Sequence, residues 1–388
     1  MTEEFSEEEL EIMRRRRERV ARMKAEKEKQ IRHQQIIRKL VPVAGLLFVV
    51  AVFMLVAKGV VFGKHREEKT SDQKEQAVVE ENVEESQEEP ATESRDEASM
   101  PEENQIFEET EPVVYTAAVS GKTEVPPGEV DSASVIFLNR GTGEILAQRD
   151  YQAVVSPASM TKVLTVLVAS EHVTDLQDTF TITREITDFS YSHDCSSVGF
   201  DVDETVTIQD LFYGTILPSG GDAAVALATY VAGSQEEFVK LMNEKVSQLG
   251  LSQTAHFTNC VGIYDPQLHC TVYDMAMIME AALDNPLCKE VLSARTYTTS
   301  KTAQHPEGIT VSNWFLRRIE DKDTGGNVVC AKTGFVVQSK NCAVSYGEDE
   351  SGNEFICVTA GASSSWKCIY DHVALYKKYA VEKNISSD

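Results

Sequence analysis

Ser159 and Lys162 stand three positions apart in "SPASMTK", just after a proline and just ahead of the apolar run "VLTVLVA". A serine hydroxyl is a poor nucleophile until a neighbouring base takes its proton. At i and i+3 near a helix start, the two side chains share one face. The helix N-terminus adds partial positive charge and spare N–H groups where negative charge would develop. A lysine acts as a base only when its pKa falls, through desolvation or a second cation nearby. The apolar run supplies the first, and Lys332 is a candidate for the second. Taken alone, Ser-x-x-Lys is more often a capped helix start with a solvated lysine, because chance matches are common.

Two later motifs change that weighting. "PSGGDAA" places Ser219 and Gly221 at an expected break between two helices, and "KTG", Lys332 to Gly334, follows a β-rich run. Ser-x-x-Lys, then a Ser-x-Asn-like element, then Lys-Thr-Gly is the ordered triplet of penicillin-recognising serine enzymes. With "SVIFLNRGTGEILAQRD", "TVTIQDLFYGTILPSGGDAAVALA", "TNCVGIYDPQLHCTVYDMAMI" and "VVCAKTGF" around it, the chain from about Asp131 onward resembles the D-alanyl-D-alanine carboxypeptidases, the low-molecular-weight penicillin-binding proteins.

That resemblance implies an α+β fold of the β-lactamase and penicillin-binding-protein type, with an antiparallel sheet flanked by helices and a helical subdomain. It implies that Ser159 attacks the carbonyl between two terminal D-alanines of a peptidoglycan stem peptide, forming an acyl-enzyme that water releases. Lys162 would be the base, and Ser219 would relay a proton to the leaving amine. Lys332 and Thr333 would hold the substrate carboxylate, Gly334 would let the strand approach closely, and the N–H groups of Ser159 and Phe335 would form the oxyanion hole. β-Lactam antibiotics would acylate the same serine, and no metal or organic cofactor is implied. Two positions depart from the family: Gly221 stands where the second motif ends in Asn, and Val336 where Thr is common. Other outcomes on the same fold are a β-lactamase, a D,D-transpeptidase, or a catalytically impaired wall-binding module.

The elements that must position these residues are legible in outline. "SVIFLNRGTGEILAQRD" predicts a hairpin closed by a Gly-Thr-Gly turn. "VLTVLVASEHV" predicts a helix buried on most sides. "SQEEFVKLMNEKVSQLG" carries a serine cap, apolar residues at helical spacing and a terminal glycine. "TVYDMAMIMEAALDN", "NPLCKEVLSART" and "WKCIYDHVALYKKYA" predict three more helices, and "NVVCAKTGF", "NCAVSYGED" and "NEFICVTAG" three strands. Strands at both ends with helices between argue for an antiparallel sheet packed on helices rather than βαβ alternation.

The rest of the 388-residue chain reads differently. Much of the net charge of −25 lies between Glu67 and Glu111, a Glu-rich stretch without apolar periodicity that cannot bury enough surface to offset its ordering entropy. Such an acidic chain argues against nucleic acid as a partner. "LVPVAGLLFVVAVFMLVA" is long enough to cross a bilayer as a helix. The arginines before it (Arg14 to Arg17, Arg19, Arg22, Arg32, Arg38) keep the N-terminus cytoplasmic and send the remainder outside. The expected organisation is therefore a cytoplasmic charged segment (1–39), a single membrane signal-anchor helix (40–62), an acidic linker (63–130) and an extracellular catalytic domain (131–388). All eight cysteines fall in that last part, consistent with an oxidising compartment and some disulfides. Cys260 with Cys270 would close a short loop, and Cys330 with Cys342 would cross-link a hairpin. No Cys-x-x-Cys pair is present, so zinc is not expected.

Overall fold

The computed structural model describes residues 114–380. The anchor and most of the acidic linker lie outside the described residues. Among those described, no helix is long and apolar enough to cross a membrane.

A six-stranded sheet organises the molecule, in the order β1 (Ala118–Glu124), β3 (Glu144–Arg149), β2 (Ser134–Asn139), β10 (Glu354–Ala362), β9 (Lys340–Asp349), β8 (Gly326–Val336). The predicted hairpin is β2 (Ser134–Asn139) and β3 (Glu144–Arg149), antiparallel, with Val135 opposite Arg149. The C-terminal half of the sheet is β8 (Gly326–Val336), β9 (Lys340–Asp349) and β10 (Glu354–Ala362), also antiparallel. Helices cover both faces, so the central strands read as continuous apolar runs rather than alternating ones. Successive side chains nevertheless separate by face. Ile136, Leu138, Ile356 and Val358 enter one core, while Val135, Phe137, Phe355 and Cys357 enter the other.

The larger core lies on the side of α1 (Thr161–Ser170), α2 (Arg184–Ser192), α3 (Ile208–Ile216), α4 (Gly221–Ala232), α5 (Gln235–Gln248), α6 (Val272–Asp284) and α7 (Pro286–Ser293). The smaller one is closed by α8 (Leu316–Ile319) and α9 (Ser365–Tyr379). Local signals place the helix starts. Thr207 and Thr271 form capping boxes with Asp210 and Asp274, Ser234 accepts from the Glu237 N–H, and Pro286 occupies the first turn of α7. The expected α+β class with a helical region is thus what the chain adopts. Two short sheets, β4–β5 (Thr179–Thr181 with Thr205–Thr207) and β6–β7 (Thr296–Thr298 with Thr310–Ser312), and helix α2 complete it.

Two expectations need correction. The sheet starts inside the stretch read as linker: β1 (Ala118–Glu124) adds to the edge as a parallel neighbour of β3. Its residues are almost all exposed, so it carries no apolar pattern by which to recognise it. The disulfides are absent, since all eight cysteines are free thiols. Cys330 lies opposite Tyr346 and Cys342 opposite Gly334, so the two pairing positions lie four steps apart along β8, about 13 Å of strand. The Cys260 thiol instead donates to Gln235 Oε1 at 3.3 Å, and the Cys342 thiol to Pro157 O at 3.6 Å.

Candidate active site

Ser159 sits in a single tight turn, Ala158–Met160, that leads directly into α1. Ala158 holds the left-handed conformation at φ 47°, uncommon for a residue with a side chain and a form of strain found at functional sites. Two glycines let other segments close on this turn. A Cβ on Gly334 would lie 2.9 Å from Ser159 N and 2.8 Å from Cys342 Sγ. One on Gly262, itself at φ 85°, would overlap Ala158 O at 1.8 Å. Strand β8 and the 259–263 loop therefore reach the serine backbone only because the residue at each contact is a glycine.

Lys162, one helical turn on, is 1% exposed and donates to Ser159 Oγ at 3.2 Å and to Val261 O at 2.7 Å. Burial pushes its amine down to about 8, against the opposing pull of Cys195, Cys260 and Asp222 in their anionic forms. Lys332, 2% exposed, donates to Ser219 Oγ and to Thr333 O, both at 2.9 Å. Its amine is held well below the ordinary lysine range, first by burial and then by the positive charge of Lys162. Of the two causes offered by the sequence, burial is the main one that depresses Lys162, and the two amines repel each other while both are charged.

Ser219 occupies the break between α3 and α4 in a left-handed conformation, φ 61°, which turns its hydroxyl toward Lys332. Ser159, Lys162, Ser219, Thr333, Gly334, Phe335 and Val336 all line one cleft of about 390 Å³. Phe335, at 62% exposure, and Tyr264, at 44%, stand at its mouth as apolar walls. Two expected site residues do not reach the cleft surface. Lys332 lies beneath the wall, behind Ser219, and Gly221 is packed against Cys195.

Several contributors carried no assigned role in the sequence. Asn259 Oδ1 accepts from the N–H groups of Val261, Gly262 and Ile263 at 3.2, 2.7 and 3.0 Å, folding the loop that aims the Val261 carbonyl at Lys162. The signal for it was the "TNCVGIYD" segment, whose resemblance marked the stretch without naming the residue. Asp222, 2% exposed, accepts from the Val198 and Gly199 N–H groups at 2.9 and 3.0 Å and so ties the 195–200 loop to the start of α4. Burial raises its carboxyl, and those backbone donors oppose the rise.

A buried amine thus meets a serine hydroxyl in the cleft, and a second serine–lysine pair reaches it through Ser219. The sequence profile of the D-alanyl-D-alanine carboxypeptidase family matches residues 120–364. The chain belongs to that family. It is 28% identical over 238 residues to the D-alanyl-D-alanine carboxypeptidase DacF of Bacillus subtilis, covering 60% of this chain and 58% of the relative. It is 31% identical over 194 residues to DacC of Escherichia coli, covering 48% of each. The chain thus spans about half the length of these curated relatives. The solved DD-transpeptidase of Streptomyces K15 superposes with a TM-score of 0.59 at 25% identity, covering 65% of this chain and 98% of that one. Penicillin binding protein 5 of Haemophilus influenzae superposes with a TM-score of 0.58 at 27% identity, covering 65% and 71%. The family's sheet and helical region are the ones described above.

Proposed function

We propose that the chain is a membrane-anchored serine D-Ala-D-Ala carboxypeptidase that trims the terminal D-alanine from peptidoglycan stem peptides. The observation that carries this reading is the hydrogen bond from the buried Lys162 amine to Ser159 Oγ at 3.2 Å, inside a cleft shared with Ser219 and Thr333. With its pKa near 8, the amine is partly neutral near pH 7 and competent to take the serine proton.

Ser159 Oγ attacks the penultimate carbonyl and yields its proton to Lys162. The Ser159 and Phe335 N–H groups receive the oxyanion. Collapse of the tetrahedral intermediate expels D-alanine, whose amine takes a proton through Ser219, and water then attacks the acyl-serine. Thr333 faces the cleft and would bind the substrate carboxylate directly. Lys332 acts from behind: an arriving anion favours its charged form, so burial without a ligand and charge with one are both accommodated. A β-lactam would enter the same path and stop at the acyl-serine. The apolar stretch at 40–62 with its flanking arginines supports a cytoplasmic N-terminus and an extracellular catalytic domain.

The likeness to the Streptomyces DD-transpeptidase supports a second reading, in which an amine rather than water takes the acyl group. Incubating the full chain with a pentapeptide ending in D-Ala-D-Ala, with and without an acceptor amine, separates the two. Free D-alanine with a tetrapeptide product is expected. A cross-linked product alone would favour transfer, and an untouched pentapeptide would dismiss both.

A further inference from the structure

Gly221 opens α4 where the second motif ends, and the volume a side chain would fill there is already taken. A Cβ on Gly221 would lie 2.8 Å from Cys195 Cβ, 3.2 Å from Cys195 Sγ and 3.1 Å from Ser190 Oγ. A real Cβ does not tolerate such contact with an atom fixed to backbone. Ser190 is 5% exposed, and its hydroxyl has no hydrogen-bond partner among the described residues, so this corner is tightly filled and polar.

Cys195 is held there firmly. Its N–H donates to Ser190 O at 2.9 Å, the Gly221 N–H donates to Ser196 O at 2.7 Å, and Asp222 grips the next residues of the loop. Cys195 lines the cleft beside Ser159 and Lys162, whereas Gly221 does not. The charged groups that bear on the Lys162 amine are Cys195, Cys260 and Asp222, which would raise its pKa only when ionised, and Lys332, a like charge. Burial keeps the Cys195 thiol above its usual pKa, so near neutrality it is an uncharged, weakly polar wall.

We propose that Cys195 is the positioning residue of the second motif: the loop before α4, not α4 itself, supplies the side chain that walls off the Lys162 amine from water, and Gly221 is the space left for it. Cysteine and glycine therefore act as one unit across the two segments. This rests on Lys162 being the base, as argued above.

The test follows the rate of acylation of the full chain by a fluorescent penicillin from pH 6 to pH 10. Cys195→Ala admits water beside the amine. It is expected to slow acylation at pH 7 about 10-fold and to move the acid limb up by about one unit, with the rates converging above the limb. Convergence at high pH is a result that mere structural damage would not give. Cys195→Ser refills most of the volume and is expected to stay within about 3-fold of wild type. Gly221→Asn alone is expected to lose about 100-fold, because its Cβ meets that of Cys195. Cys195→Gly with Gly221→Asn is expected to recover most of that loss. Alanine at 195 would not serve in this pair, since it keeps the obstructing Cβ. A Cys195→Ala profile superimposable on wild type, or a double variant no better than Gly221→Asn, would overturn the proposal. A wild-type chain that penicillin never acylates would instead overturn the catalytic reading beneath it.

Discussion

On one side of the cleft, β8 presents Thr333, Gly334 and Phe335 in a register locked to β9, with Lys332 opposite Val344 and Gly334 opposite Cys342. On the other side, Ser219 hangs from a left-handed link between two helices, and the neighbouring wall belongs to a loop more than twenty positions upstream. The strand wall keeps its motif intact, because a ladder of backbone bonds fixes every residue by its place in the sequence. The loop wall departs from its motif at Gly221, and Cys195 of the upstream loop fills the volume there. A motif in a strand is thus legible as a string of letters, whereas a motif at a helix break is legible only as a filled space.

The largest test of this contrast touches the group both walls enclose. Lys162→Met keeps the buried length but removes the base, and acylation by penicillin is expected to fall about 1,000-fold with the fold intact by circular dichroism. A loss of less than tenfold would mean that another group takes the serine proton. Next comes the strand wall. Gly334→Ala must push β8 off Ser159 N and Cys342 Sγ, with an expected loss of about 100-fold in acylation and about 1–3 kcal/mol in stability. An unaffected rate would show that the strand has slack which its register denies.

Smaller, and specific to the electrostatics, is the pH dependence. In the proposed mechanism Lys162 acts when neutral, and its pKa is lowered to about 8, so below that value acylation should rise about tenfold per pH unit and level off above it. A rate flat from pH 6 to 9 would contradict a buried lysine base. Smallest is a change remote from both walls. Ser234→Ala removes the cap of α5 and is expected to cost about 1 kcal/mol in thermal unfolding while leaving acylation unchanged. A matching loss of activity would tie that helix to the cleft.

How far the sequence could be read follows the same physics. The β2–β3 hairpin was legible because a turn of Gly-Thr-Gly separates two short apolar runs, and the α3–α4 break because Pro218 and two glycines interrupt a helical pattern. Ser159, Lys162, Ser219 and Thr333 meet where their motifs said they would. Strand β1 is not legible because an exposed edge strand needs no apolar alternation. An even cysteine count says nothing about register, and all eight cysteines are free. Cys195 was invisible as a site residue because its role comes from the absence of a side chain at Gly221, and only the folded contact between them reveals it.

The most direct measurement is the position of the covalent adduct after the full chain is treated with penicillin, digested and mapped by mass spectrometry. The account predicts one acylated site, Ser159, which disappears in Ser159→Ala while the thermal transition is retained. An adduct on any other residue, or none under conditions where the wild-type chain is folded, would contradict it.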